Sequence, residues 1–204
     1  MTKREQRCFN VGPGLGGLLS AFATLGATDS TAALPQPDAF HLPSNDWIPN
    51  NPRLPVLVYR RAVPIVGSDP AARFEQLFSQ NGWPPHWRDG VYDFHHFHPS
   101  THEVLGFARG RARVILGGPP PVGREVEVEA GDVVVLPAGT AHCKIDASSD
   151  FLVVGAYPPN QDTAISRKAL SEAEHEAMLA VDFPESDPLT GAGGPLTRLW
   201  KAAY

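Results

Sequence analysis

From Val91 onward the chain alternates apolar and polar residues in short runs, and a glycine or proline turn ends nearly every run. This punctuation constrains the fold more than any other feature. Runs fall near residues 91–98, 102–109, 111–116, 124–129, 132–136, 141–146 and 151–157. Between them lie Arg109-Gly110, Gly117-Gly118-Pro119-Pro120-Pro121, Ala130-Gly131 and Pro137-Ala138-Gly139. Period-two strands at such spacing predict an all-β sandwich or barrel and exclude a helical bundle. The 19 glycines and 21 prolines among 204 residues fit the same reading.

The flanks differ. Residues 1–37 read as an N-terminal extension, flexible or targeting, with Lys3, Arg4 and Arg7 ahead of a weakly apolar Gly/Ala-rich run. Residues 38–204 read as one domain, with a barrel core over about 90–158 and a C-terminal helix and tail over 166–204. Residues 38–55, rich in Pro and Asn, predict an ordered extended arm, and Val56–Tyr59 a short strand. Asp69-Pro70 is a helix start, with Phe74, Leu77 and Phe78 on one face and Asn81-Gly82 as its stop. Residues 83–90 read as a loop. Ser166–Ala180 has helical spacing, with Leu170, Ala173, Ala177 and Met178 as a weak stripe.

A net charge of −5 opposes a nucleic-acid partner. No apolar run is long enough to span a membrane. Cys8 and Cys143 form no disulfide framework, so a reducing, cytoplasmic setting is expected.

Four of the eight histidines, His95, His96, His98 and His102, lie within eight residues, Glu103 follows, and His142 comes after the Pro-Ala-Gly turn. On a strand, residues i and i+2 share a face, so His96 and His98 can converge on one ion. Three imidazoles and a carboxylate suit Fe(II), Mn(II), Ni(II), Cu(II) or Zn(II) rather than Ca or Mg. A set with His102 in place of Glu103 is the alternative.

These residues resemble the cupin superfamily. Gly90, His96-Phe97-His98, Glu103 and Gly110 match its first motif, and Gly131, Pro137-Ala138-Gly139 and His142 its second, with Asp146 where the family has Asn. Ile48-Pro49-Asn50-Asn51-Pro52, His102-Glu103-Val104-Leu105-Gly106 and Val154-Gly155-Ala156-Tyr157-Pro158 are similar to the bacterial YjlB-like cupins. The resemblance implies a double-stranded β-helix, the cupin jelly roll, with one divalent metal on His96, His98, Glu103 and His142. It implies no substrate.

Four protein ligands leave positions open on the metal, which suits a dioxygenase holding Fe(II) and acting on a small organic molecule. A redox-neutral isomerase, epimerase or lyase using Mn, Ni or Zn as Lewis acid is the alternative, and a non-catalytic binding cupin a further one. Lys144, two residues from His142, is a candidate anchor for an anionic substrate group. His102 and Tyr92 are candidate bases. His95, of opposite parity to His96, is expected to face away. Phe94, Leu105 and Phe107 are candidate pocket walls or core. Trp47, Trp83 and Trp87 are expected to pack the arm and loops. Open sheet edges and the arm at residues 40–60 suggest a homodimer.

Overall fold

The computed structural model describes residues 35–203, so nearly all of the expected N-terminal extension and Cys8 lie outside the described residues. In chain order the elements are β1 (Asp38–Phe40), β2 (Val56–Tyr59), α1 (Pro70–Gln80), β3 (Pro85–Asp89), β4 (Glu103–Arg109), β5 (Arg111–Leu116), β6 (Arg124–Glu129), β7 (Val133–Leu136), β8 (His142–Ala147), β9 (Leu152–Ala156), α2 (Glu172–Leu179) and α3 (Pro195–Lys201). The strands form a six-stranded sheet, ordered β1-β2-β7-β4-β9-β3, and a three-stranded sheet, β6-β5-β8. All pairings are antiparallel. This is the all-β architecture that the punctuation predicts, in the jelly-roll form with short flanking helices that the resemblance implies.

Burial of both faces explains the composition of the large sheet. Val58, Leu105, Phe107, Val134 and Leu136 face the small sheet and meet Val114, Leu116, Val126 and Val128. The opposite face carries Leu57, Tyr59, Val104, Val133, Val135 and Val154, covered by Phe74 and Phe78 of α1 and by Leu196 and Trp200 of α3. A strand buried on both sides reads as an unbroken apolar run, as β7 (Val-Val-Val-Leu) does. In contrast, β6 exposes Glu125, Glu127 and Glu129 and buries only Val126 and Val128.

The structure corrects several expectations. Residues 91–98 form no regular strand; isolated bridges, His96 with His142 and Phe97 with Ser166, and single backbone bonds at Tyr92 and His98 tie them down. The strand instead lies at Pro85–Asp89, within the expected loop, and pairs with β9 through Trp87 opposite Gly155. The sheet therefore starts well before residue 90, since β1, β2 and β3 all belong to it. The helix read over 166–180 is confined to Glu172–Leu179, because Ser166 is bridged to Phe97 and Ser171 caps the helix with Glu174 in a capping box. The tail contains α3, which starts at Pro195. Among the described residues, no helix is long and apolar enough to cross a membrane.

Candidate metal centre

Alternation along β4 decides which side chains meet. Glu103 shares a face with Leu105 and Phe107, which lie between the sheets, whereas His102 shares a face with Val104 and lies under the outer layer. The His96–His142 bridge then brings the segment before β4 against the start of β8. His96, His98 and His142 are all buried, and each offers a ring nitrogen within 4.8 Å of the others. Glu103 completes the group. Its Oε1 is 3.5 Å from His98 Nε2, and its Oε2 is 3.2 Å from His142 Nε2.

The tautomers follow from the outer nitrogens. His98 Nδ1–H donates to the Thr163 carbonyl at 2.8 Å, and His96 Nδ1–H to the Phe94 carbonyl at 3.1 Å. With the proton fixed at Nδ1, each Nε2 presents a lone pair, the arrangement of a metal-binding imidazole. Glu103 Oε2 is buried without a hydrogen bond, although His142 Nε2 is near. An acceptor buried this way is costly unless a cation sits beside it. These three neutral donors and one anion therefore fit a divalent transition metal.

Protonation points the same way. Burial lowers His96, and burial reinforced by the neighbouring His96 lowers His142, so both imidazoles stay neutral. Burial alone would raise Glu103, but His98 and the hydrogen bond from Tyr157 work against it and favour the ionised carboxylate. Burial also works against protonating His98, yet the Glu103 carboxylate outweighs it and raises the imidazole.

The cluster lines a cavity of about 320 Å³, large enough for a small molecule. Trp87, Val91, Leu105 and Ile165 supply apolar wall, and Tyr92 stands half-exposed among the lining residues. Sequence reasoning missed Tyr157. Its hydroxyl donates to Glu103 Oε1 at 2.7 Å and accepts from Trp87 Nε1–H at 2.8 Å. Trp87 thus belongs to the site rather than to loop packing. Gly155 makes room for it, since a Cβ there would lie 2.0 Å from the indole.

The other candidates are placed differently. Tyr92 lines the cavity, stacks on Phe94 at 4.7 Å and meets the His96 ring edge-on at 5.1 Å. His102 does not line it. Its Nδ1 accepts from Ala138 N–H at 3.0 Å, and its ring packs 4.8 Å from that of Trp200. Burial lowers its pKa to about 3, so it is a neutral core residue rather than a base. Lys144 is half-buried and is not among the residues that line the cavity. His95 is likewise outside the lining. Leu105 is wall, whereas Phe107 is core. Trp83 is core, and Trp47 packs on Phe97 as expected. Asp146 is exposed and pairs with Arg113. A wider cleft of about 910 Å³ holds Arg60, Arg61 and Arg113, each paired with an acidic side chain.

The chain is similar to several known proteins. A family model described as cupin matches residues 90–182. The chain is 35% identical over 164 residues to the uncharacterized protein YjlB of Bacillus subtilis, covering 79% of this chain and 94% of that protein. A variant of oxalate decarboxylase from Bacillus subtilis is 19% identical, with 69% of this chain and 36% of that chain covered and a TM-score of 0.35. An 11S allergen from Cocos nucifera is 21% identical over 39% of this chain and 23% of that one, with a TM-score of 0.31. The chain thus spans about a third or less of the length of those two solved proteins. Both cupin motifs, the jelly roll that carries them and the match along nearly all of the Bacillus protein lead to one assignment: the chain belongs to the cupin family, in its YjlB-like group.

Proposed function

We propose that the protein is a metal-dependent enzyme acting on a small organic molecule, an oxidoreductase of the dioxygenase type that uses Fe(II). The observation that carries this is the convergence of three imidazoles and the Glu103 carboxylate on the wall of a partly apolar cavity of about 320 Å³. Bound there, the metal would supply a Lewis acid and, as iron, electrons for chemistry with O₂. His96, His98, Glu103 and His142 would hold it. Tyr157 fixes Glu103 through Oε1 and leaves Oε2 toward the histidines. Trp87, Leu105 and Ile165 would exclude water around the substrate.

A second reading, a redox-neutral isomerase or lyase, draws support from the proton-carrying groups on the cavity wall. Tyr92, Tyr157 and His86 all line it, and His102, the base expected from sequence, does not. Glu103 is no candidate base while it holds a metal. The test is reconstitution of the purified chain with Fe(II), Mn(II), Ni(II) or Zn(II), followed by elemental analysis and an oxygen electrode with panels of oxidisable and isomerisable substrates. Substrate-dependent O₂ uptake with iron supports the first reading, and turnover without uptake the second. A chain that takes up none of these metals refutes both. Pairing of two copies over the open sheet edges belongs to the same reading, and a monomeric mass by light scattering at micromolar concentration would contradict it.

A further inference from the structure

We propose that the arm from Trp47 to Asn51 is a clamp that sets the spacing of the three histidines and thereby the metal affinity of the site. This rests on the metal-binding reading above. The arm is far from the three histidines in sequence, yet it touches a residue next to each of them. Asn50 is wholly buried. Its Oδ1 accepts from Ala141 N–H at 3.2 Å, and its Nδ2 donates to the Gly117 carbonyl at 3.0 Å and the Pro43 carbonyl at 2.6 Å. Gly117 N–H in turn donates to the Ala141 carbonyl at 2.7 Å, so the amide closes a ring of bonds around the residue that precedes His142. Asn51 Nδ2 donates to the Ala138 carbonyl at 3.1 Å, in the turn between β7 and β8, and its Oδ1 accepts from Leu54 N–H at 2.9 Å.

The other two histidines are reached through Phe97, which separates them. Phe97 is fully buried in a small cluster with Ile48 of the arm and Ala141, and the Trp47 ring lies 5.9 Å from its own. Backbone bonds finish the frame: Gly139 N–H donates to the His98 carbonyl at 2.8 Å, and His142 N–H to the His96 carbonyl at 2.9 Å. One segment therefore touches both ligand-bearing stretches, residues 96–98, which form no ladder, and the start of β8. Fully satisfied buried amides specify geometry sharply, because losing one leaves partners buried and unpaired. Groups that orient ligands in this way are worth roughly 10- to 100-fold in metal affinity.

The test uses the full chain with Co(II) as probe. Affinity is read by competition with a chelator, and ligand geometry by the visible absorption of the bound ion. Asn50 has a φ of +46°, so Asn50→Gly removes the amide without straining the backbone. Trp47→Leu loosens the arm more gently. Tyr59→Phe is the control: it removes a buried hydrogen bond, to Asp187, within the outer core. The expected result is Co(II) binding weakened roughly tenfold or more in Asn50→Gly, with an altered absorption spectrum and a smaller change in the same direction for Trp47→Leu. Tyr59→Phe should melt earlier with affinity and spectrum unchanged. If both arm variants melt earlier but keep wild-type affinity and spectrum, the arm is only structural and the clamp is refuted. Should Asn50→Gly fail to fold, Trp47→Leu decides by the same criterion. A wild-type chain that takes up no Co(II) overturns the metal reading and the clamp with it, whereas wild-type binding with unaffected arm variants overturns the clamp alone.

Discussion

Replacing His102 by Asn separates a core histidine from a catalytic one. In the folded chain its Nδ1 accepts from Ala138 N–H, its ring packs on Trp200, and burial lowers its pKa to about 3. An unfolded histidine titrates at about 6.5. A base whose folded pKa is depressed destabilises the fold as pH drops, because the unfolded chain takes up the proton and the folded chain does not. The loss begins near pH 6.5 and grows by about 1.4 kcal/mol per pH unit until the folded pKa is reached. At pH 5 it amounts to about 2 kcal/mol, a value set by the unfolded pKa and insensitive to the folded one. For a domain of this size that is a fall of roughly 4–8 °C in melting temperature between pH 7 and pH 5. The Asn amide oxygen can take over the bond from Ala138 without titrating. His102→Asn should therefore be less stable at pH 7, through lost packing on Trp200, but should lose about 2 kcal/mol less than wild type on going to pH 5. Urea denaturation of the metal-free chain at the two pH values measures this. Equal losses in the two proteins would refute the burial argument. A variant with wild-type stability at both pH values but no turnover would restore His102 to the active site.

The remaining predictions concern the metal centre and its surroundings. His98→Ala should lose about one equivalent of bound metal by elemental analysis. Wild type should gain about 2.7 kcal/mol at a free metal concentration near 100 times Kd, read as a melting shift of roughly 5–10 °C that the variant lacks. Tyr157→Phe deprives the Glu103 carboxylate of its phenol donor and leaves Trp87 Nε1–H without a partner. The cost should be about 2–4 kcal/mol in urea denaturation, and a loss below about 0.5 kcal/mol would contradict the arrangement. In Gly155→Ala the new methyl meets the Trp87 indole. A destabilisation of about 1–3 kcal/mol with a shifted tryptophan emission is expected, and an unchanged spectrum would contradict it. Lys144→Met should leave KM unchanged once a substrate is found, since the side chain stays outside the cavity lining; a large rise would make it the anchor that the sequence suggested.

How much was legible in the sequence depended on whether the deciding contact was local. Strands β4 to β9 were readable because each alternates, or is apolar throughout, between glycine turns, and α1 because Asp69 and Pro70 mark its start. Period two also brought His96 and His98 together correctly although no ladder forms there. The parity holds because the segment is locally extended and bridged at His96 and Phe97. The same parity, applied to β4, already separates His102 from Glu103, and only their adjacency in sequence made both look like site residues. Strand β3 was hidden because it is a sheet edge paired only with β9, and its Pro-His-Trp-Arg-Asp sequence shows no apolar alternation. That hidden pairing also concealed Tyr157. Trp87 reaches its hydroxyl only because β3 runs beside β9 with Trp87 opposite Gly155, a register written in no local pattern. The ligands could be read from spacing within one segment and one turn. The groups that orient them, Tyr157 and Trp87 on one side and Asn50 and Ile48 on the other, come from segments that meet the ligands only after the sheets have formed. A motif thus locates the candidate ligands in such a barrel, while the residues that would tune them must be found in the pairing of strands.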